Sequence, residues 1–204
     1  MAKVEHGDVS NWDREYLVLD TGNSDYKTQG RDAGYKFFSK YLLPYLRVSK
    51  TEKCSLADMG YKEPIKNPDG DSYMPLTAQS TFIALADGAV FTINYSLSED
   101  SIAGQDNPNL KYLFCYLLQV DINGPKSPNV LGKDVFLFVY PIGYNAKLYF
   151  WGAENPKFYT SEGRVDYLDV SRDDILESCN KAEGISCGAL IQYDGWKISD
   201  DYPW

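Results

Sequence analysis

Between Asp121 and Asp134 the sequence sets four oxygen-bearing side chains, Asp121, Asn123, Asn129 and Asp134, among Gly124, Pro125, Pro128 and Gly132. Carboxylate and carboxamide oxygens are the hard ligands that calcium prefers, although the spacing lacks the EF-hand order and its closing glutamate. Two readings follow. Either the loop carries a structural calcium ion, or the Asx side chains stabilise the turns by bonding their own backbone.

The four cysteines, Cys54, Cys115, Cys179 and Cys187, allow three pairings and form no C-x-x-C motif. Cys179 and Cys187 would close a short loop through Gly184, to which chain-entropy arithmetic assigns about 2–3 kcal/mol. That bridge is expected in an oxidising compartment. Cys54 with Cys115 is the second candidate pair, and buried free thiols are the competing reading.

Other chemistry is poorly supplied. His6 is the single histidine, so a Ser-His-Asp or Cys-His arrangement lacks its base, and most zinc and iron schemes lack ligands. No phosphate-cradling glycine motif occurs. Carboxylate pairs suited to glycoside hydrolysis cannot be picked out from 29 acids by sequence. The expectation is a protein that is not an enzyme. With 17 Tyr and 4 Trp, a sugar platform on Trp151, Tyr149 and Tyr159 is an alternative use of the surface. The net charge of −9, with nine acids against Arg172, Lys181 and Lys197 over residues 166–201, argues against a nucleic-acid partner.

The elements that must hold these residues read as an α+β order in one domain, 1–204. A helical front covers 1–54, a proline-rich loop 55–80, and a β-rich body 81–204. Tyr35, Phe38, Tyr41, Leu42, Tyr45 and Leu46 make an amphipathic face over Asp32 to Val48, interrupted by Pro44. Phe82 to Ala86 and Ala89 to Ile93 flank Asp87-Gly88 as a two-residue hairpin. Further strands are expected at Tyr112 to Ile122, Val135 to Tyr140 and Lys147 to Trp151, with a last one at Ala189 to Gln192. Ser171, with an acid three residues on, starts a short helix to about Cys179. No stretch reaches the ~18 apolar residues of a membrane span. The opening, Met1 to Gly7, reads as the end of a charged helix, with an apolar segment expected upstream.

Three groups of residues resemble a known family. They are Glu5-His6-Gly7 through Trp12-Asp13 to Tyr41-Leu42-Leu43-Pro44-Tyr45-Leu46 and Lys50 to Cys54; Leu85-Ala86-Asp87-Gly88 with Val120 to Gly124, Pro128-Asn129, Gly132-Lys133-Asp134 and Phe136; and Cys187 to Ile191, Asp194 to Ile198 and Asp200 to Trp204. Together they resemble type IV pilin-like and type II secretion pseudopilin-like proteins, which carry a prepilin-type N-terminal helix. The resemblance implies an N-terminal helix packed on an antiparallel sheet, with a disulfide-stapled C-terminal region. It also implies self-assembly with other pilin or pseudopilin subunits, and anchoring in the bacterial inner membrane through a missing hydrophobic helix, the domain lying in the periplasm or in an extracellular pilus. Loop 121–134 and the C-terminal tail are then expected to fix strand register and surface.

Overall fold

A computed structural model describes residues 18–20, 22–52, 56–73, 80–101, 110–141, 147–159, 164–180 and 184–204. It is α+β. The strands are β1 (Val18–Asp20), β2 (Val48–Glu52), β3 (Thr81–Leu85), β4 (Val90–Ser101), β5 (Leu110–Asp121), β6 (Val135–Pro141), β7 (Tyr149–Phe150), β8 (Asn155–Tyr159) and β9 (Arg164–Leu168). The helices are α1 (Tyr26–Tyr41), α2 (Arg172–Asn180) and α3 (Cys187–Tyr193).

Seven strands form one sheet in the order β2-β3-β4-β5-β6-β7, with β1 paired to β5. All of its ladders are antiparallel. β8 and β9 make a separate two-stranded ribbon. Because side chains alternate across a strand, neighbouring residues serve different layers. On β3, Ile83 packs with Phe37, Phe38 and Tyr41 of α1, together with Ile93, Tyr116 and Leu118. Its neighbour Phe82 packs with Met59, Tyr61, Ile65, Val90, Leu131, Val135 and Leu137. The Phe37 and Tyr116 rings lie 4.6 Å apart at the centre of the first layer. A third cluster joins Ile175 and Cys179 of α2 to Cys187, Ala189 and Leu190 of α3 and to Phe150 of β7.

The expected hairpin is present, with a three-residue connection in place of two. Gly88 donates to Leu85 O and Leu85 N–H to Ala89 O, and Gly88 sits at φ 98°. A four-residue turn closed by a glycine in the left-handed region is the pattern of three-residue hairpin loops.

Two elements differ from the sequence expectation. The helix placed over Asp32 to Val48 runs instead over Tyr26–Tyr41, passes into a 3-10 turn at Leu43–Tyr45 and gives way to β2. Pro44 ends the α-helix because its ring and missing N–H oppose continuation. The first turns, Tyr26 to Gly30, carry no apolar stripe to announce them. Ala189 to Gln192, expected as a strand, lies in α3. A run of this length does not distinguish strand from helix. The bond to Cys179 sets α3 beside α2, and Gly188 lets it close on Phe150, whose ring a Cβ would meet at 2.3 Å.

Candidate functional site

The loop after β5 is built on two carboxylates. Asp134 accepts the Val130 N–H at Oδ1 (2.7 Å) and, at Oδ2, the Asn129 N–H (2.9 Å) and Asn123 Nδ2 (3.1 Å). Asp121 accepts the Asn123 N–H (3.1 Å) and the Tyr61 hydroxyl (2.7 Å). Asn129 occupies φ 51°. Its amide, assigned from the acceptors around it, donates to the carbonyls of Gly124 (2.9 Å) and Lys126 (2.7 Å). The structure therefore brings Asp121, Asn123, Asn129 and Asp134 together, in an Asx-turn network of the kind read as one of the two alternatives. Asn123 Oδ1 has no hydrogen-bond partner among the described residues.

Gly124, at φ 65°, fixes where this loop sits, because a Cβ there would lie 2.3 Å from Gly88 O in the β3–β4 turn. Burial pushes the Asp121 carboxyl up to about 6, with Asp134 adding repulsion against the lowering effect of Tyr61 and backbone N–H groups. Burial, then Asp121, pushes the Tyr61 hydroxyl up in turn.

The tail is pinned by one guanidinium. Arg172, the first residue of α2, meets Asp194 through Nε–Oδ1 and Nη2–Oδ2, both 2.7 Å. It meets Asp201 through Nη1–Oδ2 at 2.9 Å and Nη2–Oδ1 at 2.8 Å. Such fork-to-carboxylate pairs fix direction as well as distance. Ser199 Oγ donates to Asp194 (2.7 Å) and accepts from Arg172 Nη2 (3.1 Å). The guanidinium holds both carboxyls below the usual range.

Loop and tail meet at Gly132, φ 80°. The Tyr202 hydroxyl donates to Gly132 O (2.6 Å), and Lys133 Nζ lies 5.2 Å from the centre of the Trp204 ring. A Cβ on Gly132 would approach Cys187 to 2.9 Å and Trp204 Nε1 to 3.0 Å, so glycine is required on grounds of both space and φ. Cys187 is bonded to Cys179, with the Cα atoms 4.6 Å apart. The clamped tail leaves Trp196 69%, Ile198 71% and Trp204 43% exposed. Trp196 sits at φ 65°, a conformation uncommon for a bulky residue.

The expected bridge Cys179–Cys187 is thus present. Cys54 lies outside the described residues, so its pairing with Cys115, a residue of β5, falls there too, and so does His6. Tyr149, named for a sugar platform, is instead buried at 2% exposure with its ring edge-on to Tyr167, because β7 turns it into the core. Trp151 is exposed, and Tyr159 stands on β8. Sequence reading missed Tyr61, for which no signal existed, and the tail clamp. Arg172, isolated among acids, was the available hint for the second.

Among the described residues no group of three or more His, Cys, Asp and Glu side chains could hold a metal ion, and no helix is long and apolar enough to cross a membrane. No curated protein and no solved structure matches the chain. One family model matches residues 1–204, and the chain therefore belongs to DUF6613, a family of unknown function.

Proposed function

We propose that the protein is a structural subunit of a bacterial type IV pilus or type II secretion pseudopilus, working by self-assembly and surface presentation rather than by catalysis. The observation that carries this reading is the tail. Trp196, Ile198 and Trp204 are large apolar side chains left exposed on a backbone already held by Arg172. Tryptophan is enriched among residues that dominate interfaces. A surface ordered in advance loses less entropy on association. A helix on an antiparallel sheet with a stapled C-terminal region also agrees with what the pilin resemblance implies.

The partners are then other pilin or pseudopilin subunits. Attachment is to the inner membrane through an N-terminal apolar helix, with the domain in the periplasm or outside the cell. A structural calcium ion in loop 121–134 belongs to the same proposal. Asp121 and Asp134 both already accept at each carboxylate oxygen, so the ion would use their remaining lone pairs together with the unpartnered Asn123 Oδ1.

The test is to shear the native cells and size the released protein, with Trp196→Ser and Ile198→Ser introduced together. Polymers that disappear in the variant while its Tm stays within a few degrees support assembly. Protein that is monomeric in both strains overturns it. The second reading, a secreted carbohydrate-binding or adhesive module, is favoured by the exposure of Trp151 and Trp196, and a glycan array with Trp151→Ala as control tests it.

A further inference from the structure

We infer that the tail surface docks on a second copy of this chain, at the corner where α1 passes into β2, in a head-to-tail contact that sets an acidic rim on a basic one. This names the partner of the tail surface and rests on the assembly reading. Between Tyr26 and Lys50 six basic residues stand against one acid, Asp32. Lys36 and Lys40, about one helical turn apart, share a face of α1. Both are exposed, as is Arg47 just before β2. Between Lys40 and Arg47 the 3-10 turn Leu43–Tyr45 has no buried residue, and Val48 is 37% exposed. The corner is thus an apolar ground with a basic rim.

The tail is its counterpart. Tyr193, Trp196 and Ile198 are exposed, and the Trp196 ring rests 5.6 Å from that of Phe150 on β7. Asp169, Asp173 and Asp200 are exposed as well. Arg172 ties the start of α2 to Asp194 and Asp201, which brings Asp173 and Asp200 to the same part of the surface as the apolar side chains. Lys197 is the single base after Lys181. Two tails face to face would set acids on acids, and two corners bases on bases. Corner to tail pairs opposite charges around apolar centres, the arrangement that favours one partner and repels the others. β2 and β7 are the two ends of the main sheet, so corner and tail are different patches of one molecule. A contact between different patches repeats from copy to copy.

The experiment compares polymer sheared from cells that make the native chain, either of two variants, or both variants together. Lys36→Glu, Lys40→Glu and Arg47→Glu reverse the corner; Asp169→Lys, Asp173→Lys and Asp200→Lys reverse the tail. Each variant alone should yield about tenfold less polymer than the native chain, with Tm within a few degrees of it. Made together they should recover most of the polymer, because every junction then pairs opposite charges; a folding defect would not be rescued in this way. In native polymer a carbodiimide should join Lys36 or Lys40 to Asp169, Asp173 or Asp200 in cross-linked dimers and not in monomers. Polymer that neither reversal reduces, or that co-expression does not recover, overturns the contact and leaves the assembly reading standing. Monomer in every strain, the native one included, overturns both.

Discussion

Two regions of this molecule are held together by different means. Over β3, β4 and β5, α1 contributes Phe37, Phe38 and Tyr41 to a continuous apolar layer, and burial of that kind scales with the area removed from water. At the other end, α2 and α3 are short, and their buried cluster of Ile175, Cys179, Cys187, Ala189, Leu190 and Phe150 contains one aromatic ring. There the chain adds a disulfide, a guanidinium gripping two carboxylates and a hydroxyl bonded to Gly132 O. Beside this smaller cluster, covalent and ionic links that remove freedom add to what burial supplies.

The comparison is broken most strongly in the apolar region. Phe37→Ala is expected to cost about 3–5 kcal/mol, the range for a buried aromatic truncated to alanine, read as a fall in the urea midpoint. Loss of all cooperative unfolding would mean that no cooperative core survives without the layer; an effect near zero would show that α1 is not part of that core.

Next in size is the covalent link. Replacing Cys179 and Cys187 together by serine should cost about 2–3 kcal/mol by loop-closure entropy. Hydrogen exchange should rise first in α2 and α3, with the amides of β4 and β5 unchanged. Uniform acceleration across the sheet would show that the two regions are one cooperative unit.

The smallest effect sharpens the contrast between two sets of carboxyls. Asp121 has a raised value, about 6, so its contribution to stability is full below the ordinary aspartate range near pH 4. It is lost as pH rises to about 6. Asp194 and Asp201 are lowered, so their contribution is present above that range and is lost only as pH falls below it. Urea midpoints between pH 7 and pH 4 should therefore rise modestly on acidification, and Asp121→Asn should flatten that rise. Below pH 4 the amides of 194–204 should open ahead of the loop. A midpoint that falls steadily from pH 7 to pH 4 would contradict the raised value.

Much of the sheet was legible because its signals are local. Asp87-Gly88 between apolar runs announced the hairpin, and Ser171 with Asp174 announced α2, where the Asp174 N–H donates to Ser171 Oγ. The start of α1 was hidden because Lys27 to Gly30 offer no apolar period. The strand expected at Ala189 to Gln192 failed because four residues cannot distinguish two periodicities, while the decisive contacts, with Phe150 and Cys179, come from elsewhere in the chain. Of the site, the Asx residues were readable by type and spacing, but Tyr61 was not, since it reaches Asp121 across 60 residues of sequence.

By itself the sequence carried the α+β class of the fold and the place of the hairpin, and offered the Asx turns of loop 121–134 and the Cys179–Cys187 bridge each as one of its open readings. Each depends on residues close together in the chain, where propensity and loop entropy act directly. Only the tertiary structure decided that Gly132 joins the loop to the tail, that Arg172 serves two carboxylates, and that Tyr61 meets Asp121. These are meetings of distant segments, set by how the layers pack, and no local pattern encodes them.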